Sequence, residues 1–176
     1  MIRKELEPPS INSELKPVVE ELIEAISEEL ENNSYDVDEN GDFIFEDEEA
    51  EQINVKLSKL KELTKKDIEI MDIYHYWNHV SLEDLVAEFL MPEPPCLKDI
   101  TLEELTEIIE RFFYSEDIEL YHQPYYIELI EKNFGLSDIS DYIFYPDSKG
   151  IDIDGDSYEI AEKIIEDSKN PPIIFL

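Results

Sequence analysis

The feature that most restricts the fold of this chain is a run of three prolines within four residues, in the string Met91-Pro-Glu-Pro-Pro-Cys96. Proline fixes one backbone angle and has no amide hydrogen, so a helix cannot continue through this run and an extended segment is favoured. We therefore predict a linker at residues 91–96. It separates an acidic domain or extension of unknown function at residues 1–90 from a C-terminal domain at residues 97–176.

The second constraint is charge, since 46 acidic and 14 basic side chains give a formal net charge of −32. The acidity is shared between both halves, at −18 before Leu97 and −14 from Leu97 onward. Such a surface repels nucleic acid and anionic membranes and attracts basic proteins. A purely solubilising role is the alternative. Disorder is disfavoured, because 42% of the residues are hydrophobic and 11% are aromatic.

Cysteine use and hydropathy predict a cytoplasmic protein. The single cysteine, Cys96, cannot form an internal disulfide, which fits a reducing compartment. No run approaches the roughly 20 apolar residues of a membrane span, and the opening string MIRKELEPPS lacks the apolar stretch of a signal peptide. We expect no membrane partner and a monomer when the protein is free.

The fold is predicted to be mainly α. In the first half, apolar residues at helical spacing predict a helix over residues 16–31, and a second helix is expected around Val55 to Leu63. Between them, Asn40-Gly41 separates two apolar segments, which is typical of a β-hairpin with a tight turn. Ser81 is the predicted cap of a further helix that buries Leu82, Leu85, Val86 and Phe89.

The second half predicts an antiparallel four-helix bundle. Thr101-Leu-Glu-Glu104 is a capping-box start, followed by an apolar face that ends at Phe112 and Phe113. A second helix is predicted over residues 124–133, a single turn over 140–146 and a last helix over 157–167. Three helices and one turn joined by short loops suit a small bundle.

An acidic loop in the first half partly matches a calcium-binding pattern. Oxygen-bearing side chains alternate before and after a glycine in this loop, as in an EF-hand. The candidate ligands are Asp36, Asp38, Asn40, Asp42 and Asp47. The last position is aspartate where the bidentate ligand is usually glutamate, and the following Phe43-Ile-Phe-Glu46 favours a strand over a helix. The hairpin is therefore preferred to a calcium site.

Nothing in the sequence indicates an enzyme, a cofactor or a structural metal. His75 and His79 are four residues apart, but the glutamate of a zinc-protease motif is missing, and packing beside Trp77 is the better explanation. Four glycines in the whole chain do not form a phosphate-binding loop. Chance carboxylate pairs are expected among so many acids, so they do not argue for acid–base catalysis.

The most informative cluster is Asp141, Phe144, Tyr145 and Pro146, in a short turn. Exposed aromatic rings beside carboxylates are typical of protein-interface hot spots, where rings supply buried area and charges orient a basic partner. The alternative is that Phe144 and Tyr145 fill the interior of the bundle.

The region from Leu97 onward resembles the immunity proteins of nuclease colicins and pyocins. Ser140-Asp-Tyr-Ile-Phe-Tyr-Pro146 resembles that family's S-D-L-I-Y-Y-P turn, and Leu97-Lys-Asp-Ile-Thr-Leu-Glu-Glu-Leu105 resembles its I-S-D-Y-T-E-A-E-F opening. The spacing between the two blocks matches without a gap. An acidic loop, a serine-led helix and a tail with proline and phenylalanine follow in the family's order.

This resemblance implies a four-helix protein that binds a basic nuclease domain beside its active site and blocks access of nucleic acid. It implies that Asp141, Phe144 and Tyr145 are the shared anchors. The exposed face of the second helix, with Gln123, Glu128 and Glu131, would then select the partner. Whether that nuclease cuts DNA or RNA stays open.

The chain departs from the family's pattern at three positions, and these affect the selectivity contacts more than the anchors. Phe144 replaces a tyrosine of the family, and Pro124 suggests a later start of the second helix. The family's tryptophan near the end of the last helix has no counterpart, and the matching position is about Asp167. Two alternative functions remain, an acidic DNA mimic that regulates a DNA-binding protein and a calcium-binding interaction module.

Overall fold

A computed structural model describes residues 2–32, 36–37, 43–44, 47–74, 76–114, 119, 121–152 and 155–169. These residues are mainly helical, as the sequence predicts. The chain forms two compact units, residues 10–91 and a split unit that combines residues 1–9 with residues 92–176. None of the helices in the described part has the length and apolar character needed to cross a membrane.

The 10–91 unit contains four α-helices and one short strand pair among its described residues. They are α1 (Lys16–Asn32), β1 (Asp36–Val37), β2 (Phe43–Ile44), α2 (Asp47–Thr64), α3 (Ile70–Ile73) and α4 (Leu82–Leu90), with a 3-10 turn at Tyr76–Asn78 before α4.

Helices α1 and α2 pack together because each carries apolar residues three or four positions apart. Val19, Ile23 and Ile26 of α1 are completely buried, and α2 contributes Ile53 and Leu60 to the same core. The predicted α1 is confirmed to within one residue at its C-terminal end.

Helix α2 begins at Asp47, well before the predicted start near Val55. The acidic stretch from Asp47 to Glu51 therefore lies at the N-terminal end of the helix. Carboxylates near a helix N-terminus are stabilised by the aligned backbone dipoles. The spacing of apolar residues alone does not reveal this stabilisation of the helix start.

The strands β1 and β2 pair antiparallel, with Asp36 opposite Ile44 and Val37 opposite Phe43. The predicted turn at Asn40-Gly41 lies outside the described residues, so the turn itself stays a prediction. At α4, the predicted cap is confirmed, since the backbone N–H of Asp84 donates to Ser81 Oγ at 3.1 Å.

The split unit contains four further helices among its described residues. They are α5 (Leu102–Tyr114), α6 (His122–Phe134), α7 (Ile139–Phe144) and α8 (Ser157–Lys169), with 3-10 turns at Lys4–Leu6 and Pro146–Lys149. Each helix packs against at least two of the others. The completely buried side chains include Leu105, Ile108, Ile109, Leu129, Ile139, Ala161 and Ile164.

The starts of α5 and α6 test two predictions. The capping box of α5 is confirmed, because Thr101 N donates to Glu104 Oε2 at 3.0 Å and Glu104 N donates to Thr101 Oγ1 at 3.2 Å. The helix predicted from Pro124 begins two residues earlier, at His122. Pro124 lies in its first turn, where an amide hydrogen has no helical acceptor.

Residues 2–9, called the strap below, belong to the split unit although the sequence grouped them with the N-terminal half. Ile2 and Leu6 are buried. Arg3 donates to both carboxylate oxygens of Asp99, at 2.9 and 3.0 Å, and its Nε lies 3.1 Å from Glu104 Oε1. The strap is therefore fastened to the loop and the capping box that begin α5.

The proline-rich segment after Met91 also belongs to the split unit. Asn133 of α6 donates from Nδ2 to the carbonyl oxygen of Pro95 at 2.9 Å, and its Oδ1 accepts from Leu97 N. One α6 side chain thus holds this extended segment by its backbone. Cys96, between the two bonded residues, is exposed.

Candidate protein-binding surface

Helix α7 and the residue after it present two large aromatic side chains to solvent. Phe144 is 47% exposed and Tyr145 is 64% exposed, so neither ring fills the interior. Tyr142 and Ile143 of the same helix are buried and attach it to the core. The helix is about one and a half turns long. Because Tyr142 and Ile143 face the core, Phe144 and the following residue Tyr145 lie on the outside.

Helix α5 extends this aromatic surface. The ring of Phe112 lies edge to face with Phe144, with centroids 6.0 Å apart, and also meets Tyr126 at 6.3 Å. Phe113 is 45% exposed, so its predicted place on the buried face is wrong. It lies in the last turn of α5, at the edge of the apolar stripe. Phe112, Phe144 and Tyr145 are called the aromatic patch below.

Two carboxylates of the split unit, Asp138 and Asp141, converge on the ammonium of Lys149. Lys149 Nζ donates to Asp138 and lies 3.5 Å from Asp141 Oδ2. The hydrogen bond to Asp138 raises the pKa of Lys149, and Asp141 adds to the effect. Nevertheless the side chain of Asp141 stays about half exposed, so its outer oxygen remains accessible.

Lys149 was not identified from the sequence, because its role depends on a tertiary contact. Its ammonium lies 4.9 Å from the centroid of the Tyr142 ring, and its side chain is largely buried. Tyr142 in turn donates from its hydroxyl to Asp167 on α8 at 2.8 Å. This chain of contacts fixes the turn that carries Phe144 and Tyr145.

The α6 carboxylates predicted to select a partner lie near the same surface. Glu128 and Glu131 line one shallow cavity of about 500 Å³, and Asp138 is close enough to Glu131 to act on its charge. Burial raises the pKa of Glu131, with Glu128 and Asp138 as further causes. Gln123, in the first turn of α6, is half-buried and is not part of this cavity.

The raised pKa of Glu131 predicts a stability change with pH. Its ionised form is disfavoured in the folded state, so folding takes up a proton as pH falls from 7 toward the ordinary carboxyl value of 4.5. The free energy of unfolding should therefore rise on mild acidification. Glu131→Gln should flatten this rise in urea titrations at several pH values, whereas the exposed Glu110→Gln of α5 should not. Equal slopes for both variants would contradict the prediction.

The predicted calcium and histidine sites are only partly within the described residues. Asp38, Asn40, Asp42 and His75 lie outside them, and the side chains of Asp36 and Asp47 are likewise not described. His79 is exposed. Among the residues that the structure does describe, no group of three or more histidines, cysteines or carboxylates is placed to hold a metal ion.

Comparisons with known proteins give no additional assignment. A scan against models of protein families, a search of curated proteins and a search of solved structures all return no match. A proposal about function must therefore depend on the surface itself and on the motifs that form it.

Proposed function

We propose that this protein is a bacterial immunity protein, a non-enzymatic inhibitor that binds a cognate basic nuclease toxin through the aromatic patch and the carboxylates beside it. The observation that carries the proposal is the exposure of Phe144 and Tyr145 at the turn that holds Asp141. Rings of this size left in solvent on a fixed turn are typical of binding hot spots.

Electrostatics support a basic partner. Asp138, Asp141, Glu128 and Glu131 lie on α6, α7 and the turn between them, and the whole chain carries −32. A field of this sign accelerates encounter with a cationic protein surface and orients it before contact. Burial of the rings then supplies most of the binding free energy.

The short motifs shared with colicin and pyocin immunity proteins give the proposal its specific form. On this proposal α5 to α8 act as the four-helix bundle of that family, with α7 as its short third helix. Occupation of the nuclease beside its active site would exclude nucleic acid by bulk and by negative charge. The rings exposed on α7 favour this function over DNA mimicry, which needs carboxylates at phosphate-like intervals.

On this proposal a gene adjacent to that of this protein encodes the basic nuclease domain, and the product of such a neighbouring gene is the partner to test. The two proteins should form a stable complex, and co-expression should protect cells from the toxin. Asp141→Lys should weaken the complex at least about tenfold, since it reverses a charge within the proposed surface.

The matched control is Glu162→Lys, an exposed residue on α8 with the same change in net charge. It should leave affinity within about twofold at physiological salt, where distant exposed charges are screened. Failure of the wild-type protein to bind or protect would overturn the proposed function. Equal weakening by both variants would instead indicate a general charge effect with no defined docking point.

A further inference from the structure

The 10–91 unit contains a cleft that the proposed function does not use. It has a volume of about 330 Å³ and is formed by α3, the 3-10 turn at Tyr76–Asn78, the near side of α4 and the segment before α3. Its size is at the lower end of the range of ligand pockets. Because Glu88 of α4 lines it, we call it the Glu88 cleft.

Glu88 has an unusual environment for a carboxylate. Burial raises its pKa, although nearby Lys66 acts in the opposite direction. Among the described residues, no side chain or backbone N–H donates a hydrogen bond to the Glu88 carboxylate. The ammonium of Lys66 is instead bonded to the main-chain carbonyl oxygen of Glu88, at 2.8 Å.

The other two carboxylates of the cleft already have partners. Asp72 Oδ2 accepts from the backbone N–H of Glu69 at 2.7 Å, which caps α3. Asp67 Oδ1 accepts from Lys61 Nζ at 2.6 Å. Glu88 is therefore the one carboxylate among the residues that line the cleft that accepts no hydrogen bond from the described part of the chain, and it is also the one whose charge is disfavoured by burial.

The walls and rim of the cleft suit a long side chain from a protein. Tyr74, Tyr76 and Leu85 are among the lining residues. Met71, one of the lining residues, is 54% exposed. Trp77 lies outside the lining, is 44% exposed, and meets the ring of the lining residue Tyr76 edge to face, with centroids 5.5 Å apart. Aromatic residues and methionine are enriched in protein-binding surfaces.

We propose that the Glu88 cleft receives an arginine side chain presented by a basic protein. The alkyl stem lies against the tyrosine rings and Leu85, and the guanidinium donates to the carboxylate of Glu88. Arginine fits because its planar group offers several donors and is weakly hydrated, so it tolerates a half-buried site. The 10–91 unit, with 23 acidic and 6 basic side chains, attracts such a partner.

Other occupants fit the cleft less well. An anion would meet three carboxylates and one lysine whose ammonium already binds a carbonyl oxygen. A neutral apolar ligand would bury Glu88 further and leave its charge without a donor, which is unfavourable. The site shares no residue with the aromatic patch, so it stands or falls independently of the proposed function.

Binding at the Glu88 cleft can be followed by the fluorescence of Trp77, because it is the single tryptophan of the chain. The full-length protein is titrated with the peptide acetyl-Gly-Gly-Arg-Gly-Gly-amide, and tryptophan fluorescence is recorded. The same peptide with norleucine in place of arginine keeps the alkyl stem and removes the charge. The arginine peptide should perturb the signal at concentrations at least about tenfold lower than the norleucine peptide.

Two variants of α4 separate local recognition from the general field of the protein. Glu88→Gln keeps the shape of the side chain, and Glu83→Gln removes the same charge from an exposed position outside the cleft. Glu88→Gln should weaken binding of the arginine peptide about fivefold or more, and Glu83→Gln by less than twofold. Circular dichroism confirms that each variant is folded.

Equal loss in both variants, or equal binding of the two peptides, would overturn the proposal. Tyr145→Ala serves as a further control, since it alters the aromatic patch and should leave the titration unchanged. A protein that binds the arginine peptide but no nuclease would retain the cleft and lose the proposed function, so the two failures are distinguishable.

Discussion

Replacement of Tyr145 by alanine is expected to weaken the complex with the nuclease toxin by about 2 to 4 kcal/mol, the range of interface hot spots. Tyr145 is the most exposed ring of the aromatic patch, at 64%, so its burial by a partner removes the largest area from water. The same exposure means that the substitution should change the free energy of unfolding by no more than about 0.5 kcal/mol. Isothermal titration calorimetry and urea denaturation measure the two quantities separately.

The control for Tyr145→Ala is Tyr158→Ala on α8. Tyr158 belongs to the same unit and is 46% exposed, but it lies outside the aromatic patch. Its substitution removes an equivalent ring and should leave toxin affinity unchanged. If the two alanine variants bind alike, the docking surface lies elsewhere on the protein.

The second large effect concerns stability. Leu6→Ala should lower the free energy of unfolding of the split unit by about 2 to 5 kcal/mol, because a completely buried leucine is replaced and a cavity remains. Hydrogen exchange measured by mass spectrometry should show faster exchange in peptides from α5 and α6. Peptides from α1 should keep their protection, since the strap belongs to the split unit.

Lys4→Ala is the matched control, because Lys4 lies in the same 3-10 turn and is exposed. It should leave exchange unchanged throughout the chain. The fluorescence of Trp77 gives an independent measure, since this single tryptophan belongs to the 10–91 unit. A loss of protection in α1 equal to that in α5 would contradict the division of the chain into these units.

Local signals in the sequence account for most of the helices. The apolar spacing of α1 and the capping residues Ser81 and Thr101 act within one or two turns, so they can be recognised without tertiary information. The start of α2 was misplaced because its first turn contains carboxylates in place of an apolar stripe. A helix start that depends on dipole stabilisation gives little periodic signal.

The strap could not be predicted, because its partners are distant in the chain. Arg3 bonds Asp99 across 96 residues, and Tyr125 lies 3.5 Å from the carbonyl oxygen of Glu7 across 118. With 46 acidic residues available, composition gives no reason to pair Arg3 with Asp99. The same difficulty hid Lys149, whose two carboxylate partners lie 8 and 11 residues before it.

For the candidate surface, the sequence identified the residues but not their arrangement. The turn from Asp141 to Pro146 could be recognised by its composition, yet the same residues were also compatible with burial of the Phe144 and Tyr145 rings. Exposure was decided by Tyr142 and Ile143, which take the interior positions of α7. The sequence assigned Phe113 to the buried face of α5. Periodicity shows which residues share a face of a helix, but it does not show where along the helix that face stops being covered by its neighbours.

The split unit is built from two segments that are far apart in the chain, and this affects the order in which it can fold during synthesis. Ile2 and Leu6 are synthesised before residues 10–91, whereas α5 and α6, which belong to the same unit as Ile2 and Leu6, are synthesised after them. Among the described residues, the core of the 10–91 unit is formed by side chains of that unit, so it can fold before the strap docks on α5 and α6. Ile2 and Leu6, which are buried in the folded protein, therefore remain exposed on the nascent chain. Their docking is a late step of folding.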